Sequence, residues 1–307
     1  MSALSIAVSG AGGFVGASLA ARLERAGHRV TRLARATADL SSAPLESLTA
    51  LLAGSEVVLH LAARAHVMVE TAADPLAEFR RVNVGGSERL AQAALRAGVR
   101  RFVFVSTVGI HGETTTGQAF TASDPAAPAS PYAVSKWEAE QALARLPLPE
   151  LVIVRPPLVY GPGVHGNFRR LLGLVSRGLP LPFAALDERR SYIGLDNLCD
   201  LLATCARHPG APGGRFLVAD GQDLSVPELV MLLGRGLGTR VRLLRVPLGL
   251  LRIAAALAGR RADFERLAGS LRVDATATVA RLDWRAAVTP AAGLLATGEW
   301  YRRESCA

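Results

Sequence analysis

The stretch Ser5-Ile6-Ala7-Val8-Ser9-Gly10-Ala11-Gly12-Gly13-Phe14-Val15-Gly16 decides how the rest of the chain is read. Its first five residues have the length and apolar content of a short buried strand, and the Ala/Leu-rich run from Ala17 to Arg25 continues as a helix. Between them stand Gly10, Gly13 and Gly16. Gly10 permits the tight turn, Gly13 lets the backbone approach a pyrophosphate, and Gly16 allows close packing of helix on strand, with the anion at the helix amino end. Strand, glycine turn and helix in that order are what dinucleotide binding needs.

The second informative position is a lysine. Of 35 basic side chains only Lys136 is not arginine, and it stands four residues after Tyr132 in Ser130-Pro131-Tyr132-Ala133-Val134-Ser135-Lys136. Arginine is a planar fork that keeps its proton, so a lone lysine marks a site where the two are not exchangeable. Helix positions four apart share a face. A Lys⁺ beside a phenol lowers its pKa by about 1–3 units from roughly 10, which makes Tyr132 a candidate acid/base.

Beyond the first unit the chain alternates short β-branched strands with longer helical patterns and shows no internal repeat. That alternation predicts an α/β doubly wound parallel sheet. Strands are expected near 4–9, 28–34, 56–61, 101–107, 151–155 and 214–219, with helices over 13–26, 74–97 and 131–145 on its faces. A second, smaller region is expected near 162–190 and again from 221. Its openings, Gly161-Pro162-Gly163 and Gly178-Leu179-Pro180, are loops suited to line a cleft.

With the glycine turn and Tyr-x-x-x-Lys about 120 residues apart, the chain resembles the extended short-chain dehydrogenase/reductases, and within them the nucleotide-sugar epimerase/dehydratase branch. The likeness continues through Val57-Val58-Leu59-His60-Leu61-Ala62-Ala63, Val82-Asn83-Val84-Gly85-Gly86, Phe102-Val103-Phe104-Val105-Ser106-Thr107, Arg155-Pro156-Pro157-Leu158-Val159-Tyr160-Gly161-Pro162-Gly163, Leu282-Asp283-Trp284 and Glu299-Trp300-Tyr301. It implies a Rossmann-type dinucleotide domain over 1–161, with 191–220 returning to it. It also implies a smaller, partly interleaved substrate-binding region over 162–190 and 221–307.

The resemblance implies roles as well. Thr107, 25 residues before Tyr132, takes the position of the hydroxyl that polarises the reacting sugar oxygen with the tyrosine, and Ser106 is a support or second candidate. Lys136 also bonds the nicotinamide ribose. Gly10, Gly13, Phe14, Val15, Gly16, Leu61, Ala62, Ala63 and Pro156 join Tyr132 and Lys136 around the cofactor. Asn83 is either near the active site or a structural bridge. Asn167 and Arg190, with Arg272 as a further guess, fall where a nucleotide diphosphate is contacted. The family's dehydratases carry an Asp-Glu pair directly after the hydroxyl residue, and this chain has Val108 and Gly109 there; the cysteine of its 3,5-epimerase/reductases is also missing from this segment. What remains is hydride chemistry at a carbinol or ketone.

The resemblance implies an enzyme acting at C4 of a UDP-hexose or UDP-N-acetylhexosamine as a 4-epimerase, since the whole-chain likeness is commonest among 4-epimerases. The alternative is a 4-reductase of a UDP-4-keto-6-deoxy sugar for surface polysaccharide, and from another class a catalytically idle NAD(P)-sensing protein, against which an intact proton relay argues. The cofactor is NAD or NADP. Arg35 stands after the second strand where a carboxylate usually bonds the adenosine ribose, which favours a 2′-phosphate, while Asp39-Leu40 is placed for the adenine.

A formal charge of +9 raises nucleic acid as a partner, but the arginines are dispersed pairs with no aromatic run for stacking; a positive field equally suits a diphosphate. His60 and His111 read as structural or substrate-adjacent, and no spacing suggests a metal. Cys199, Cys205 and Cys306 read as free thiols of a reducing, cytoplasmic compartment, and no signal peptide is expected. The apolar stretch Val246–Ala258, broken by Arg252, is too short to span a bilayer; a buried or subunit-facing helix is expected, with a membrane-surface helix as the alternative. The resemblance implies a homodimer through helices 74–97 and 131–145.

Overall fold

The computed structural model describes residues 3–65 and 72–306. The opening stretch forms β1 (Ser5–Ser9), a turn, and α1 (Phe14–Arg25), followed by β2 (Arg29–Leu33), α2 (Leu45–Leu52) and β3 (Val57–His60). The expected helix 74–97 begins as α3 (Pro75–Phe79), capped by the Asp74 carboxylate, which accepts from the Ala77 N–H. It passes through a π-helical turn at Arg80–Gly85 and continues as α4 (Gly86–Arg96). Then come β4 (Arg101–Val105), a single 3₁₀ turn (Val108–Ile110), α5 (Pro131–Ala144) and β5 (Glu150–Arg155). Ser130 caps α5 through its side-chain oxygen, which accepts from the Ala133 N–H, and Pro131 opens it.

Among the described residues β1 to β5 are joined by β8 (Arg215–Leu217) in one parallel sheet of order β2-β1-β3-β4-β5-β8. Both faces are buried, as parallel strands require. Alternate residues point to opposite faces, so Ile6 and Val8 pack with Leu19 and Leu23 of α1 and with Leu198, Leu201 and Leu202 of a later helix. Ala7, Phe102 and Phe104 face the other layer, with Leu48 of α2, Leu90 and Ala94 of α4, and Leu143 of α5.

After β5 the chain forms β6 (Leu158–Tyr160), α6 (Gly166–Ser176), β7 (Tyr192–Gly194) and α7 (Leu195–Arg207), and after β8 it forms α8 (Val226–Leu237), α9 (Leu248–Leu257), α10 (Arg261–Ala268), α11 (Thr276–Leu282) and α12 (Pro290–Cys306). β6 and β7 pair in parallel as a small second sheet. A separate core joins α6, α8 and α12 through Phe168, Leu172, Leu229, Leu233 and Leu294. α7 lies on the main sheet with α1.

Two features depart from expectation. α2 and α7 add cover on the sheet that the apolar periodicity had not marked, α2 because it is only eight residues long. More consequential, the Val246–Ala258 stretch is neither buried nor spanning: α9 contains no buried residue, because its inward positions reach only Leu251 and Ala255 while its remaining side chains face out. Cys199 and Cys205 are buried free thiols, and the Cys306 side chain lies outside the described residues.

Candidate active site

The strand order reverses between β1 and β3, and at the carboxyl edge of that reversal a cleft of about 540 Å³ opens. Ligands of open α/β sheets bind there. Its walls bring together most of the residues singled out above. The glycine turn supplies Gly10, Gly13, Phe14, Val15 and Gly16; the segment after β3 supplies Leu61 and Ala63; the ends of β4 and β5 supply Ser106, Thr107 and Pro156; α5 supplies Tyr132. From α6 comes Asn167, and from the segment before β7 comes Arg190.

A dinucleotide fits this wall. Gly10 adopts φ +71°, and a Cβ there would stand 2.7 Å from the Ala62 nitrogen. A Cβ on Gly16 would overlap the Gly10 carbonyl oxygen, so the helix approaches the turn as closely as glycine alone permits. Gly13 ends the turn as a cap with no side-chain hydrogen bond, and the first turn of α1 holds no acid. Its N–H groups and the positive end of the helix dipole are left to an anion.

The floor is fixed by a chain of small polar groups. Ser9 Oγ accepts from the Leu61 and Ala62 N–H groups, both at 3.2 Å, and lies 2.6 Å from His60 Nδ1; His60 Nε2 lies 2.8 Å from Ser87 Oγ. His60 is wholly buried and desolvation holds it neutral, at about 3. It is structural, and Ala62 serves the floor through its backbone without lining the cleft.

Thr107 caps the 3₁₀ turn: its Oγ1 accepts from the Gly109 N–H at 3.1 Å, leaving its own hydrogen to donate. Ser106 Oγ, also in the cleft wall, is buried with no partner among the described residues. Tyr132 meets Phe79 edge-on at 6.2 Å, and burial pushes its phenol up to about 12. The expected lowering by Lys136 is therefore not met in this arrangement. Lys136 is 1% exposed and does not line the cleft; its ammonium lies 3.8 Å from the centroid of the Phe104 ring. Burial lowers it to about 7, opposed by Glu140 one turn further along α5. Desolvation drives both groups toward their neutral forms, so Tyr132 stands as a proton donor and Lys136 as the group that titrates near neutrality.

Besides Ala62 and Lys136, three expected residues stand outside the cleft lining. Asn83, in the π-helical turn, is 1% exposed and fully engaged: Oδ1 accepts from the Arg64 N–H at 2.7 Å, and Nδ2 donates to the Arg64 carbonyl at 3.2 Å and to Ser135 Oγ at 2.9 Å. It is the structural bridge between the segment after β3 and α5. Arg35 has a side chain 82% exposed and stands 3.8 Å from Asp39, outside the cleft; Asp39 itself is held by Ser41 Oγ at 2.7 Å. Arg272 turns to Asp223 at 3.1 Å instead of to the cleft.

The arginine that does reach the cleft beside Arg190 is Arg266 of α10, paired with Glu113 at 3.3 Å. Arg190 Nη1 donates to the carbonyls of Arg266 and Gly269 at 2.5 and 2.6 Å, fixing the end of α10 against this wall. Nothing in the spacing distinguished Arg266 from Arg272. A second unforeseen element had a signal: Glu140 follows Tyr132 and Lys136 at the same four-residue interval. Its carboxylate, 1% exposed, binds the Arg155 guanidinium at two points, 3.0 and 2.6 Å, and Arg155 Nη1 also meets His111 Nε2 at 3.2 Å.

Known proteins are similar to this chain over most of its length. A UDP-glucose 4-epimerase of Vibrio cholerae is 41% identical over 255 residues, covering 81% of this chain and 78% of that protein. One of Mycolicibacterium smegmatis is 31% identical over 335 aligned residues, covering 97% and 98%. The structure of a Thermotoga maritima UDP-glucose 4-epimerase with UDP-glucose has the same fold, with a TM-score of 0.78 at 22% identity over 98% of this chain and 100% of that one. The model of one family matches residues 6–219, from β1 through the end of the main sheet, so that on these strands, the glycine turn and the cleft between them the chain belongs to the NAD dependent epimerase/dehydratase family.

Proposed function

We propose that the protein interconverts the C4 epimers of a UDP-linked hexose or N-acetylhexosamine. The observation that carries this reading is the composition of one cleft: Thr107 and Tyr132 share it with the glycine turn and with Arg190 and Arg266, while Val108 and Gly109 line it where elimination of water needs an acid and a base. The relatives named UDP-glucose 4-epimerase agree with it. Bound nicotinamide dinucleotide supplies hydride exchange and, when oxidised, a positive ring. The chain's residues handle the proton and the substrate. Tyr132 Oη takes the C4 hydroxyl proton and returns it, and Thr107 donates to the same oxygen. Arg190 and Arg266 bind the diphosphate, with Asn167 beside them. Because burial alone leaves Tyr132 near 12, it works as a base only once positive charge shares its surroundings.

The deciding experiment mixes purified protein with UDP-glucose or UDP-N-acetylglucosamine and follows sugar NMR together with nicotinamide absorbance. An epimer should form with no net change in absorbance. Inert UDP-hexoses, with stoichiometric NAD(P)H oxidation once a UDP-4-keto-6-deoxy sugar is added, would replace this reading by the 4-reductase. Arg35 favours that second reading, since a reductase exchanging free NADPH gains from a 2′-phosphate contact. We place a dimer contact on α5 and on the π and α4 segment, where Val134 and Trp137 are half-buried in one subunit; light scattering at micromolar concentration tests it.

A further inference from the structure

A helix at the surface of a globular protein turns its apolar stripe to the core. α9 does the reverse. Leu250, Ile253, Ala254 and Leu257, spaced i, i+3, i+4, i+7, are all exposed, Leu257 at 86%. The helix's one charged residue, Arg252, is paired with Glu265 of α10 at 3.1 Å. Exposed arginines bracket the stripe: Arg240, Arg242 and Arg245 lead into it, Arg260 and Arg261 follow it, and no carboxylate lies between Glu228 and Asp263.

What covers such a face must be both apolar and anionic. A second copy packed stripe to stripe would set these arginines against their own counterparts with no carboxylate between them. A bilayer surface with anionic headgroups supplies acyl chains and negative charge together. Ten residues span only about 15 Å, and no helix among the described residues is long and apolar enough to cross a membrane, so the helix lies in the plane of the surface.

We propose that α9 docks the protein on an anionic bilayer, with Leu250, Ile253 and Leu257 among the acyl chains and the flanking arginines on the headgroups. α10 follows directly, and Arg266 on it lines the cleft, so docking holds the arginine wall of the cleft close to the membrane. This inference stands whether or not the epimerase reading does.

The test is flotation of the full chain with vesicles of phosphatidylcholine, with and without phosphatidylglycerol. Wild type should float with the phosphatidylglycerol vesicles and be released by salt. Ile253→Glu with Leu257→Glu should weaken binding about 10-fold or more, and Arg242→Glu should weaken it at least about 5-fold. Both sites are exposed, so an unchanged thermal midpoint verifies the fold. Failure of wild type to float with anionic vesicles overturns the proposal, as does equal flotation of the double variant. A wild-type dimer that falls to monomer mass in the double variant, without wild-type flotation, assigns the face to a second copy instead.

Discussion

The ammonium of Lys136 and the ring of Phe104 face each other at 3.8 Å, one from α5 and the other from β4. His60 backs the same ring at 5.5 Å. A desolvated cation over an aromatic face is stabilised by about 2 kcal/mol, but that falls short of the hydration lost at a site 1% exposed, and the lysine is driven down to about 7.

The first expectation concerns shape. Lys136→Arg should lower turnover nearly as much as Lys136→Met, because a planar guanidinium that keeps its proton does not replace a compact ammonium buried over Phe104. Steady-state rates at saturating substrate measure it, and near wild-type turnover in the arginine variant would reject the role.

A second concerns pH. The folded pKa of Lys136 is depressed from 10.5 to about 7, so between those values the unfolded chain binds the extra proton and stability rises with pH. The cost of burying the charge is fully present below about 7 and gone above 10.5. Tyr132, raised to about 12, acts oppositely only above about 10, its unfolded pKa. Lys136→Met without ligands should therefore melt about 5 °C or more above wild type at pH 6, with the gap closing toward pH 10. Parallel melting curves across that range would show that the lysine escapes to water.

The third concerns the hydroxyl groups. Tyr132→Phe and Thr107→Val should each slow the chemical step by roughly 10²–10⁴ with dinucleotide affinity nearly intact. Ser106→Ala removes an oxygen that has no hydrogen-bond partner here, so the fold should lose nothing in a denaturation curve. If that variant is the inactive one and Thr107→Val is silent, the reacting oxygen sits one residue earlier.

The fourth concerns cofactor choice. Arg35 pairs with Asp39 at 3.8 Å and is 82% exposed, so it is available to a 2′-phosphate. Fluorescence titration should give tighter binding of NADPH than NADH, and Arg35→Asp should reverse the order. Equal affinities in the wild type would place Arg35 in solvent throughout.

The glycine turn was legible because its requirements are local: φ +71° at Gly10 and the contact of Gly16 with the Gly10 carbonyl are met by glycine alone, whatever surrounds them. α5 was expected from its helical pattern, and the structure adds the Ser130 cap that starts it. Spacing put Tyr132 and Lys136 on one face, but what lies above the lysine depends on Phe104, brought there by the sheet. The π turn at Arg80–Gly85 and the three-residue strands β6 and β7 carry too few residues for a period to show. Choosing Arg266 over Arg272 required knowing that Arg190 ties down the end of α10, a contact across 76 residues. An apolar run such as 246–258 reads as interior by composition, and composition cannot say which way a helix faces.

The burial of Lys136 reaches into practical handling. It is the chain's only lysine, and with burial lowering its pKa to about 7 a large share of it is unprotonated amine at neutral pH. Acylating dyes, aldehydes and lysine crosslinkers thus find no lysine side chain while the fold is closed. Side-chain acylation then reports opening of the segment over Phe104, so the extent of labelling serves as a clock for that opening and ligand protection from it as a binding assay.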